Sequence, residues 1–225
     1  MNDKTLTAVF SAVGKRYGYD EIQAEFVPFR DFKVRWMRSY KWISLEISDY
    51  MKDAPEEIME SMAVTIFRKI KGEDELEYSE EVYNWLTRED FVHDNQSTFI
   101  HRFRGLSLEP QGKHQDLAES YKRLVKMGLV EDDPDVFMGW APSSKSQRVG
   151  RSSVLMKVIV ISQRLDDPGI PEHVLDYCLY AQAAHIGMGF SPSKKSRGKE
   201  YDEILGRYPD RAEAESELRR RDLFI

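Results

Sequence analysis

Apolar side chains at Leu6, Val9, Phe10 and Val13 recur at the spacing of one helical face and predict a helix over residues 3–16. Two short alternating stretches follow at residues 25–29 (EFVPF) and 32–36 (FKVRW), and a third at Trp42–Ile47; all three read as strands. Residues 48–54 read as a turn. Pro55 suits the first position of the next helix, where its missing N–H costs nothing, and Glu56 and Glu57 favour the positive helix end. Ile58, Met59, Met62, Ala63, Ile66, Phe67 and Ile70 supply that helix's buried face, and Gly72 is its stop.

The middle of the chain has helical periodicity. Residues 79–88 (SEEVYNWLTR) begin with a capping serine and two acids, and Val82, Trp85 and Leu86 share a face. Residues 91–106 carry Phe99, Phe103, His93 and His101 among many charges. Residues 116–129 form an amphipathic pattern on Leu117, Tyr121, Leu124, Val125 and Met127, ended by Gly128. Residues 132–135 and 140–146 read as loops. A further strand is expected at Val158–Ser162, a helix at 171–186, and a charged helix at 211–221 whose arginines suit its C-terminal end. Buried positions expected on the 171–186 helix are Val174, Leu175, Cys178, Leu179 and Ala183.

Two stretches resemble each other. Ile47-Ser48 followed by Pro55-Glu56-x-Ile58-Met59-Glu60 parallels Ile161-Ser162 followed by Pro171-Glu172-x-Val174-Leu175-Asp176, the second connection being two residues longer. No Gly/Ser-rich linker forces a boundary. The expectation is a single α+β domain over 1–225, with a strand–helix unit at 20–72, a helical middle at 78–130 and a final unit at 148–215.

Composition narrows the function classes. Aromatic residues at 12% and hydrophobic residues at 41% are ordinary for a folded chain. Asp plus Glu outnumber Lys plus Arg by 39 to 33, giving a net charge of −6 and weighing against broad binding to a phosphate backbone. The one cysteine, Cys178, excludes an internal disulfide and a cysteine-built zinc site; it reads as a small buried apolar residue. No secretory signal opens the sequence and no run of about eighteen apolar residues occurs, so a cytoplasmic protein that does not span a membrane is expected.

The stretch from Gly150 to Asp210 carries Ser152-Ser153, Val158–Ser162, Leu165-Asp166-Asp167-Pro168, Ile170-Pro171-Glu172 and Tyr208-Pro209-Asp210, and with these it resembles the SprT-like zinc metallopeptidases. Ser152-Ser153 and Val158–Ser162 look like that family's edge strand, which lines the substrate groove in active members. Leu165-Asp166-Asp167-Pro168 and Ile170-Pro171-Glu172 match its strand-to-helix turn. Val174, Tyr177 and Tyr180 match the approach to its H-E-x-x-H motif, and Tyr201, Leu205 and Tyr208-Pro209-Asp210 match the helix and stop beyond it. Residues 43–63 are similar to the segment with which such proteins often open. The resemblance implies a zincin-type fold: a small mixed sheet packed against helices, here with added helices in the middle of the chain.

The same resemblance counts against peptidase activity. In H-E-x-x-H two histidines one turn apart reach a zinc ion and the glutamate is the general base. The five positions here read Ala181-Gln182-Ala183-Ala184-His185. Ala181 cannot coordinate a metal, and the Gln182 amide cannot accept a proton at neutral pH. The third ligand belongs four or five residues before Tyr201, where Ser196 and Arg197 stand, and no histidine follows His185. His173 lies about 18 Å away along the helix, too far to share an ion with His185.

The vestigial motif positions are thus Ala181, Gln182, His185 and Ser196, with no catalytic residue, metal ligand or cofactor expected. A cleft is expected around Val160, Tyr177, Tyr180, His185, Tyr201 and Glu203. The function this implies is an inactive pseudo-peptidase that binds another protein or peptide segment, by strand addition to the Val158–Ser162 edge. The alternative is a metal-dependent hydrolase with a relocated site built from His185, Glu203 and a residue of the first half. His93 and His101 lack ligand spacing. The basic segment 193–199, with Arg219, Arg220 and Arg221, is the nucleic-acid candidate, and a solvated loop is the favoured reading of it.

Overall fold

The structure is a computed structural model and describes residues 1–73, 77–143, 146–191 and 197–225. It is mixed α/β, with eight helices and two small mixed three-stranded sheets among the described residues. Where the sequence reading favours one domain, the chain divides into two compact units, one built on residues 1–95 and the other on residues 96–190 with 197–225. Each has its own sheet and its own core.

The first unit opens with helix α1 (Asp3–Gly14), capped by the Asn2 side chain, which accepts the Thr5 N–H at 3.0 Å. Strands β1 (Glu21–Val27), β2 (Val34–Arg38) and β3 (Trp42–Ser48) form a sheet in the order β1-β3-β2, with β1 parallel and β2 antiparallel to β3. A 3-10 turn (Asp49–Met51) leads to α2 (Glu56–Ile70), then α3 (Glu80–Leu86) and α4 (Glu89–Arg102), whose second half belongs to the other unit. Alternation along β3 buries Ile43, Leu45 and Ile47 with Phe10, Met62 and Phe67 of α1 and α2. Pro55 sits at the N-cap of α2, one place earlier than expected.

The second unit repeats that order. Helix α5 (Leu117–Lys126) is followed by β4 (Phe137–Ala141), β5 (Gly150–Ser153), β6 (Val158–Ser162), a 3-10 turn (Gln163–Leu165) and α6 (Glu172–Gly187). The sheet order is β4-β6-β5, with β4 parallel and β5 antiparallel to β6, the same arrangement and strand senses as in the first unit. In both, the strand pairing with both neighbours ends in Ile-Ser, runs into a 3-10 turn and meets a helix whose N-cap is proline, Pro55 or Pro171. The likeness read from the two sequence stretches therefore extends to the whole order of elements. Helices α7 (Gly198–Leu205) and α8 (Arg211–Arg220) complete the unit.

Two expectations fail here. β6 is the central strand, not the edge, and its run Val158–Ile161 is buried on both faces as a central strand requires. The stretch from Trp140, read as a loop, instead contains the end of β4: Trp140 is buried and its Nε1–H donates to the Pro110 carbonyl at 2.8 Å. The Asp-Asp-Pro turn has a plain structural task. The Asp166 carboxylate accepts the backbone N–H groups of Lys113, His114 and Gln115 at 2.7–3.0 Å, fixing the chain that enters α5.

Candidate functional site

Helix α6 is apolar on every side, and it is enclosed on every side: the residues from Val174 to Ala184 are all buried, including the five expected. Of the polar groups that interrupt this run, Asp176, Tyr177 and Tyr180 are paired across the unit. Asp176 accepts Ser120 Oγ at 2.5 Å and a two-pronged contact from Arg123 (Nε 2.8 Å, Nη2 2.7 Å), joining α6 to α5. Four tyrosines bind the other side. Tyr177 donates to Glu215 at 2.7 Å, Tyr180 to the Ile204 carbonyl at 2.7 Å, Tyr201 to the Ala181 carbonyl at 3.1 Å, and Tyr208 to the His173 carbonyl at 2.8 Å. β6 packs beside the same helix, with Ile159 and Ile161 in its core.

Ala181 and Gln182 therefore do not floor an open cleft. Ala181 and Gln182 have no exposed surface. Gln182 lies against Gly150 of β5, and its amide nitrogen and oxygen have no hydrogen-bond partner among the described residues. Eleven residues beyond the capping proline, Gln182 occupies the place that the buried Ile66 holds on α2. His185 is half-buried and stacks on Tyr201, with ring centroids 4.1 Å apart and an interplanar angle of 17°. Ser196 lies outside the described residues, as does most of the basic segment 193–199.

A cavity of about 330 Å³ is lined by His185, Tyr177 and Tyr201, by Arg148 ahead of β5, and by Glu215, Arg219, Phe224 and Ile225. Of the expected cleft residues, only Tyr177, His185 and Tyr201 meet there. Tyr180 is buried with its hydroxyl bound to α7. Val160 borders a different cavity, because its neighbours Ile159 and Ile161 take the face toward α6. Glu203 is exposed on α7, two residues from Tyr201 and so far around the helix from it.

The wall of this cavity includes a strand-like pairing. Val149 N–H donates to the Phe224 carbonyl at 2.9 Å, and Phe224 N–H donates to the Gln147 carbonyl at 3.0 Å, a parallel bridge between Arg148 and Phe224. The Gln147 side chain also donates to Asp222. Leu223 is anchored in the core, and the Phe224 ring stays half-exposed over the cavity.

The electrostatics reflect burial more than acid–base tuning. His185 is held below its ordinary value by burial and then by the Arg148 guanidinium. Burial pushes Tyr201 up to about 12 and Cys178 well up, so neither is a ready nucleophile. Burial raises Glu215, but hydrogen bonds from Arg211 and Tyr177 outweigh it and keep the carboxyl below its ordinary value. No group of three or more His, Cys, Asp or Glu side chains placed to hold a metal occurs among the described residues. The charge of Arg219–Arg221, the arginines of the nucleic-acid candidate, is offset: these guanidiniums pair with Glu215 and Glu217.

No family model matches the chain, and neither a curated protein nor a solved structure does. Among the described residues, no helix is long and apolar enough to cross a membrane. The residues that sequence reasoning missed are Arg148 and Phe224. Their only sequence signal is weak: an apolar Leu-Phe-Ile run after the charged helix, of a kind that seeks a sheet edge or a groove.

Proposed function

We propose that the second unit is a SprT-like, zincin-type unit that binds a polypeptide segment and does not hydrolyse it. The observation that carries this reading is the main-chain pairing of Phe224 with Gln147 and Val149 beside the His185–Tyr201 cavity. The position at which a partner strand would add is a place where this fold already accepts an extended segment, its own. Backbone pairing supplies affinity in strand addition and a neighbouring pocket reads side chains; the exposed Phe224 ring marks that pocket. The motif positions support the non-catalytic half. The five positions hold one histidine, which stacks on a tyrosine, and the place of the general base holds a buried amide.

The experiment is Phe224→Pro, which removes the N–H that donates to Gln147 while leaving Leu223 in the core. A fluorescent peptide with the sequence of residues 219–225 serves as the probe. The variant is expected to bind it in trans at least tenfold more tightly than the parent chain, with circular dichroism unchanged. A folded variant that gains no binding removes the strand-addition reading, and chelator-sensitive peptide hydrolysis by the pure protein removes the non-catalytic one.

A further inference from the structure

The opposite face of the second sheet holds a different cavity, of about 340 Å³, bordered by Arg104, Arg148 and Arg151. Among the described residues its lining includes no Asp or Glu, in a chain where acids outnumber bases. Among the described residues the side chains of Arg104 and Arg151 have no hydrogen-bond or carboxylate partner, although most other arginines of the unit are paired: Arg123 with Asp176, Arg197 with Glu200, Arg211 with Glu215. The register explains how Arg151 comes to this face. It pairs with Val160, so both point away from α6, whereas the next pair, Gly150 and Ile161, faces the helix.

Gathering guanidinium groups around one concavity without a counter-charge is unfavourable, and an anion that fits the concavity relieves the repulsion. Guanidinium forks match phosphate oxygens two at a time. The remaining walls are apolar: Phe103, Pro142 and Val149 meet the cavity beside the arginines. Its volume falls in the ordinary range for small-ligand pockets.

We propose that this cavity binds a small organic phosphate, the phosphate held by Arg104 and Arg151 and its apolar or ring portion lying against Phe103 and Pro142. A small ligand fits better than a nucleic-acid backbone, because the net charge of −6 opposes a long polyanion whereas a single phosphate senses the local arginines. Arg148 borders both cavities, but the two arginines assigned to the phosphate, Arg104 and Arg151, lie outside the His185 cavity, so their substitution tests this site apart from strand addition.

The test is calorimetric titration with adenosine monophosphate, inorganic phosphate and a twenty-nucleotide single strand. The mononucleotide is expected to bind at least tenfold more tightly than inorganic phosphate. Arg151→Gln is expected to weaken it about tenfold and Arg104→Gln with Arg151→Gln about a hundredfold. Both sites are exposed, so the fold is retained and chemical shifts elsewhere stay fixed. Equal affinity for mononucleotide and inorganic phosphate overturns the role of the apolar wall. Absence of binding, binding indifferent to the double substitution, or a single strand that outcompetes the mononucleotide overturns the site as a small-phosphate pocket.

Discussion

Gly150 and Gln182 share a space that leaves no room for one more carbon: a Cβ built on Gly150 stands 2.7 Å from Gln182 Nε2 and 2.9 Å from its Cδ. Gln182 is fully buried, so it cannot swing into solvent. Gly150→Ala is expected to cost about 1–3 kcal/mol by overpacking. In a Gln182→Ala background the same change should cost much less, because the space is then free. A double-mutant cycle in urea that shows additivity would disprove the contact.

Gln182 also brings two unpartnered polar atoms into the core. Leaving such groups unpaired costs about 1–3 kcal/mol. Gln182→Met, similar in length and apolar, is expected to raise the thermal midpoint. The repeat supports this, since the matching place on α2 carries Ile66. A lower midpoint for the variant would show that the amide finds a partner in solution.

The Asp176–Arg123 pair is the main polar tie between α5 and α6, with Asp176 buried and Ser120 as a third member. Asp176→Ala leaves the guanidinium without its partner at the helix interface, and a loss of about 3 kcal/mol is expected. Arg123→Ala should cost a comparable amount, and the double variant less than the sum. Chemical denaturation of the three variants measures this directly.

The sequence made much of the fold legible, and each failure has its own physical cause. The elements with clear periodicity, α1, α2, α5 and β3, lie where apolar spacing puts them. The Ile-Ser and Pro-Glu pairs mark a likeness between two stretches that the structure extends to the order and sense of every strand. β4 was missed because Phe137-Met138-Gly139-Trp140-Ala141 has little alternation, its glycine lying where the Ser107 carbonyl approaches. The family resemblance places β6 at an edge, although its four consecutive apolar residues already suit a central strand. The site was less legible. That His185 meets Tyr201 is local enough to guess, but Arg148, Phe224 and the three-arginine cavity depend on strand register, which no linear spacing displays.

Asp222 follows α8 with φ of 56°, in the left-handed region, and the end is closed by Leu223 N–H to the Leu218 carbonyl at 2.9 Å and Asp222 N–H to the Arg219 carbonyl at 3.0 Å. This is the closure in which glycine is preferred at the position Asp222 holds. Asp222→Gly is expected to stabilise by up to about 1 kcal/mol, the exposed bond from Gln147 offsetting little. Because this turn aims Phe224 at the sheet edge, the variant should also protect the Val149 amide, which donates to Phe224, more strongly from hydrogen exchange. Weaker protection would mean that the Asp222 side chain, not the turn, sets the direction of the segment.

His185 is expected to contribute to the pH dependence of stability. Its folded value lies below the ordinary 6.5 through burial and the Arg148 charge, so the unfolded chain binds more protons as pH falls past that point. The stability linked to His185 is therefore whole above pH 6.5 and is lost as pH falls toward the folded value. Asp166 and Glu215 are also held below their ordinary values of 3.8 and 4.5, and their contributions stay intact until the pH drops below that range. Between pH 6.5 and about 5 the His185 imidazole should accordingly contribute to the slope. His185→Phe retains a ring to stack on Tyr201 and removes the titration. The parent chain is expected to lose more stability than the variant over that interval in urea titrations. Parallel curves would assign the slope to another group, and a variant destabilised equally at every pH would show that the imidazole matters for packing and not for charge.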